Sequence, residues 1–167
     1  MTTKDEFNAE EWSRVLLGPF VAGLTLVAAE RGGTLRESVE MAKVYAEEKQ
    51  DPAAPELIRE LVADRPSVDA ERFAPEGGER ATPEDVRARG HEILRDALGV
   101  LEGKADPAEI EAYKRFCLEI AERVAERTKS GGVLGVGGKQ VSDAEQAALD
   151  ELGATLGIAP ETGAGTA

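Results

Sequence analysis

The chain has 167 residues, 41% hydrophobic but only 4% aromatic, with 33 acidic against 20 basic side chains and a net charge of −13. That length fits one domain with a sizeable core. The acidity argues against nucleic acid and against an anionic membrane surface as partners, since both need basic patches. One cysteine excludes an internal disulfide, and the segment before the first apolar run is acidic rather than basic, so no secretion signal is read and a cytoplasmic location is expected.

In chain order, Asn8-Ala9-Glu10-Glu11 has the form of a capping box, and Phe7 and Trp12 stand where a hydrophobic staple pairs them. They open a helical region from about Ala9 to Glu30 that contains the one long apolar run, Val15–Ala29. The run falls short of the about 20 apolar residues of a membrane span, and a helix apolar on all sides is expected to be buried on all sides. It carries a bulky stripe, Leu17, Phe20, Leu24 and Val27, and a small one, Gly18, Ala22, Thr25 and Ala29. Pro19 is expected to break or bend it at Gly18. Gly32-Gly33 ends the region, and Thr34–Glu37 caps a second helix to about Lys49, with Leu35, Val39, Ala42 and Ala46 inward and Met41 and Tyr45 beside them.

Asp51-Pro52 and Pro55 lead into a short helix to about Asp64, with Leu57, Ile58, Leu61 and Val62 inward. Residues 66–81, rich in Pro, Gly and charge, read as a loop tethered by Val68 and Phe73. Thr82-Pro83 starts a helix to about Glu102, with Val86, Ile93, Leu94, Ala97, Leu98 and Leu101 inward. After Gly103, Asp106-Pro107 starts the next, to about Lys129, and so short a link makes the two antiparallel neighbours. Ile110, Tyr113, Cys117, Ile120 and Val124 form its inner stripe, and Glu111–Arg115 and Glu119–Arg123 are spaced to pair outside. Ser142–Glu145 caps a last helix with Leu149, Leu152 and Leu156 inward, stopped by Gly157 with Ile158 placed for a Schellman contact.

The glycine-rich stretch 131–138 does not fit a phosphate-binding loop: the spacing to Gly138-Lys139 fails and a helix, not a strand, precedes it. It reads as a turn-rich connection, with room for a small hairpin at 133–142. Val133, Leu134 and Val136 must gain something when this flexible segment is ordered, either by plugging the bundle or by meeting a partner. His91, the only histidine, lacks the Glu three residues before it that di-iron bundles use, and reads as a packing residue at the edge of its stripe. Cys117 reads as a small buried hydrophobe. No Gly-x-Ser-x-Gly elbow and no calcium loop occurs.

Two junctions, Ala28-Ala29-Glu30-Arg31-Gly32-Gly33-Thr34-Leu35 and Gly138-Lys139-Gln140-Val141-Ser142-Asp143-Ala144-Glu145, resemble the helix–loop–helix junctions of tellurite-resistance-type (TerB-like) helical domains. The resemblance covers about a fifth of the chain. Glu30 stands where that family favours Asp, and the second glycine loop has no acid before Asp143. It implies a compact helical bundle linked to stress response or protein interaction rather than a defined catalytic activity.

The expectation is therefore an all-α chain, a single bundle of six or seven helices around a buried central helix over residues 1–158, with a disordered tail at 159–167. The function expected is that of a cytoplasmic, non-enzymatic interaction or scaffold protein. Its partner is another protein or a second copy, with no catalytic residues, cofactor, nucleic acid or membrane insertion, and the partner-binding candidates are Val133, Leu134 and Val136. The alternative is a divalent-metal-binding stress protein using the carboxylates of Glu30, Glu37 and Asp143.

Overall fold

The computed structural model describes residues 2–29, 35–64, 66, 81–128 and 142–158, and of 35–41, 127 and 128 only the backbone. After a single 3-10 turn at Lys4–Glu6 come six α-helices: α1 Ala9–Ala29, α2 Leu35–Gln50, α3 Glu56–Ala63, α4 Pro83–Glu102, α5 Pro107–Thr128 and α6 Asp143–Leu156. There is no strand among the described residues, and the architecture is an all-α bundle around α1. The hairpin expected at 133–142 lies outside the described residues, except for Ser142, which caps α6.

Local chemistry sets the helix ends. Asn8 Oδ1 accepts from the N–H groups of Glu10 and Glu11, while Glu11 Oε2 accepts from the Asn8 N–H. Phe7 and Trp12 close the staple with ring centroids 5.5 Å apart. Reciprocal capping boxes start α4 at Thr82–Asp85 and α6 at Ser142–Glu145, and Asp106 and Glu109 do the same for α5. At the far end of α6, Gly157 takes φ 71°, the left-handed region that penalises any Cβ, and the Ile158 N–H donates to the Gly153 carbonyl to complete a Schellman end.

α1 packs most extensively against α4 and α5 and also touches α2 and α6. Because α1 separates them, α4 and α5 meet less than their short link suggests. The small stripe makes the close approaches. A Cβ on Gly18 would lie 1.9 Å from Tyr113 Oη, so that position has room only for hydrogen. A Cβ on Gly90 of α4 would lie 2.6 Å from the Thr25 methyl and 3.1 Å from Val21, so this approach is close but less so. Ala22 and Thr25 are fully buried.

Two expectations about α1 are corrected. Of the two outcomes expected at Pro19, the break does not occur: the helix is continuous from Ala9 to Ala29. The missing Pro19 N–H would orphan the carbonyl four residues back, that of Val15, and Tyr113 of α5 supplies the donor, Oη to O 2.8 Å. Nor is the helix buried on all sides. Leu17 is enclosed, but Phe20, Leu24 and Val27, the rest of the bulky stripe, are only half-buried. By length and composition alone α1, at 21 residues, is the one described helix that could cross a membrane, although 61% of its apolar window is buried inside the bundle.

On α2, Ala42 and Ala46 face solvent, while Val44 is buried and Tyr45 packs edge-on against Phe116 at 5.3 Å. The larger side chains gain more from burial than two methyls, so they set the rotation of the helix. On the outer face of α5, Glu111 pairs with Lys114 at 2.8 Å. Arg123 holds Glu119 at 3.6 Å and reaches across to Glu47 of α2 at 2.8 Å.

The chain's start straps the end of the bundle where α4 finishes and α5 begins. Thr2 donates through both its N–H and its hydroxyl to the buried Glu109 carboxylate, at 2.7 and 2.6 Å. Asp64 accepts from Lys4 Nζ at 2.6 Å and from Trp12 Nε1 at 2.8 Å, which holds its carboxyl below the usual carboxylate range. Lys104 donates to the Glu6 carbonyl and pairs with Glu11.

Two stability outcomes follow from this packing. Tyr113→Phe should cost about 1–3 kcal/mol, the penalty of leaving the buried Val15 carbonyl without a donor. In a Pro19→Ala background, where residue 19 regains its N–H, the same change should cost less by about 1 kcal/mol in a double-mutant cycle. Equal costs in both backgrounds would show that the tyrosine does not replace the missing donor. Ala22→Leu should lower the denaturation midpoint by an amount equivalent to about 1–3 kcal/mol of overpacking, and an unchanged midpoint would contradict the enclosure of Ala22.

Candidate functional site

The polar cluster with the most chemistry among the described residues lies between α4 and α6, on one turn of each helix. His91 is 5% exposed, deeper than its expected place at the stripe's edge. Its Nδ1 lies 2.9 Å from Thr155 Oγ1, and its Nε2 lies 3.7 Å from Glu151 Oε2. Thr155 follows Glu151 by four residues, so both project from one face of α6. Arg87, one turn before His91 on α4, donates to the same Glu151 oxygen at 2.6 Å. Burial holds the imidazole below its ordinary range, with Arg95 and Arg87 acting in the same sense and Glu151 opposing. The Arg87 hydrogen bond, helped by His91 and Arg95, holds Glu151 below the usual carboxylate range despite partial burial.

A hydroxyl, an imidazole and a carboxylate in sequence is the order used for nucleophilic catalysis. Here the ring is enclosed between two packed helices, with the Glu151 carboxylate at the surface beside it. The arrangement is better suited to joining α4 to α6 than to turning over a ligand.

The second group of reactive side chains lies in the core. Tyr113, Cys117 and Tyr45 sit together, and burial drives all three far above their ordinary pKa values. The Cys117 thiol stays protonated there and is no nucleophile, in line with its reading as a buried hydrophobe. Tyr45 Oη is buried without a hydrogen-bond partner.

The predicted site residues are placed as follows. Asp143 is exposed at the first turn of α6. Glu37 lies within α2, with its side chain outside the described residues, and Glu30 lies outside them altogether. Of the three carboxylates only that of Asp143 is among the described side chains, and among the described residues no three His, Cys, Asp or Glu side chains are grouped to hold a metal. Val133, Leu134 and Val136 also lie outside the described residues. Sequence reasoning missed Thr155 and Glu151 as partners of His91. The available signal was Glu151 and Thr155 at i,i+4 on a helix whose apolar stripe runs through Leu149, Leu152 and Leu156 beside them.

Beyond the exposed Glu10–Arg14 pair, the outward positions of α1 are apolar. Phe20, Leu24 and Val27 follow one another at helical spacing, and the half-buried Val86 of α4 joins Leu24 beside the small cluster of Leu17, Val21 and Ile93. Against this background, no protein-family model matches the chain, and neither the curated proteins nor the solved structures contain a significant match.

Thr155→Val removes the partner of His91 Nδ1 while keeping the shape of the side chain. At neutral pH it should lower stability by about 1 kcal/mol through the loss of one part-buried hydrogen bond. Urea denaturation with an unchanged slope checks this, and a curve that overlays the parent would remove the hydroxyl from the contact.

Proposed function

We propose that this chain is a cytoplasmic, non-enzymatic interaction or scaffold protein that associates with copies of itself. The observation that carries this reading is the half-buried stripe of Phe20, Leu24 and Val27 on the central helix, where the exposed positions among the described residues are otherwise mostly charged or small. A helix that serves as the core of its own bundle and still offers a row of large apolar side chains gains from covering them. The simplest cover is the same stripe on a second copy, since a two-fold contact places each residue opposite its own surroundings. The resemblance of the two helix junctions to tellurite-resistance-type domains adds a link to stress response. It supports an interaction role rather than a catalytic one.

Two chains of charge −13 repel one another, so association should tighten as salt screens them. Sedimentation velocity on the parent should show a monomer–dimer equilibrium that shifts towards dimer with concentration and with salt. Leu24→Lys, at a half-exposed position, should keep the helical circular dichroism signal and remain monomeric. A parent that sediments as monomer at every concentration and ionic strength would overturn self-association.

A further inference from the structure

We propose that the His91 contact is an acid-sensitive latch, in which protonating the imidazole releases α6 from α4. The latch rests on position: the chain's only histidine is enclosed, and both of its ring nitrogens face α6. With the Glu151 carboxylate on the Nε2 side, the neutral ring keeps its proton on Nε2, and Nδ1 accepts from the Thr155 hydroxyl. A second proton must go to Nδ1. The hydroxyl can then no longer donate to the ring and turns to a carbonyl of its own helix, as threonines in helices readily do. Nδ1 then donates to the Thr155 oxygen, so this contact is reversed rather than lost, and what works against docking is the charge placed in the enclosed ring.

The new charge draws on Glu151, but burial and two like charges outweigh that attraction. From α6 it faces Glu151, which Arg87 already engages at 2.6 Å. From its own helix it faces Arg87 and Arg95, both of like sign. α1 packs on this stretch through Val21 and Thr25, which lie against Gly90 and carry no charge. Once α6 departs, the ring meets water and regains its ordinary proton affinity. The docked imidazole is held below that affinity, so docking has its full strength above the ordinary imidazole range and loses strength as the pH falls through that range.

Hydrogen exchange on the whole chain tests this, with protection factors corrected for the intrinsic pH dependence and α5 as the internal reference. Between about pH 7.5 and about pH 5.5, across which an ordinary histidine titrates, opening of α6 should rise several-fold relative to α5. In His91→Gln, which is polar but cannot take a proton, the rise should disappear. Arg95→Gln, at an exposed position, removes one repelling charge and should reduce the rise while leaving the fold intact. The latch is overturned if α6 and α5 lose protection together in the parent. It is equally overturned if the selective rise persists unchanged in His91→Gln, or, should that variant not fold, in Arg95→Gln.

Discussion

The hydrogen bond from Tyr113 to the Val15 carbonyl is the contact on which the rest of this bundle depends. Pro19 removes the donor that would normally satisfy that carbonyl, and in a helix this apolar no water is at hand to replace it. The hydroxyl of α5 fills the gap, and it reaches the backbone only because Gly18 has no Cβ in its path. Three residues that look unrelated in sequence thus form one device. Pro19 creates the vacancy, Gly18 opens the way, and Tyr113 closes it. The device fixes the register of α5 on α1, and Tyr45 and Phe116 then bring α2 against α5.

The small stripe of α1 serves the same end. Gly18, Ala22 and Thr25 let α4 and α5 come close enough for their larger side chains to fill the interior. The bulky stripe is left half outside. The usual assignment of large apolar residues to the inside is reversed at Phe20, Leu24 and Val27, because close backbone approach on the opposite face satisfies more of the helix. That reversal supplies the apolar surface behind the proposed association.

What could be read from the sequence follows from how far each interaction reaches. The boxes at Asn8, Thr82, Asp106 and Ser142 and the left-handed Gly157 were legible because each acts within one helical turn. The inner stripes of α4, α5 and α6 were legible because their large apolar residues leave one choice of face. On α2 Tyr45 was legible beside the stripe, but the alanines at 42 and 46 matched the template while gaining little from burial, and Val44 went in instead. The pairing of His91 with Thr155 spans 64 residues and that of Tyr113 with Val15 spans 98. No local pattern encodes which side chains meet over such distances. The candidate site was accordingly less legible than the fold.

The span of that last pairing bears on how the chain is made. The most apolar helix is synthesised early, yet its partners on α4 and α5 are completed only at Thr128. At ordinary rates of translation the intervening stretch of about 100 residues takes roughly 5–20 s, during which α1 has neither the Tyr113 donor nor its covering helices. An apolar run whose first carbonyl lacks its donor is a ready substrate for chaperones and for misassociation between nascent chains. The order of elements that makes α1 the centre of the finished bundle therefore makes it the most vulnerable part of the unfinished one.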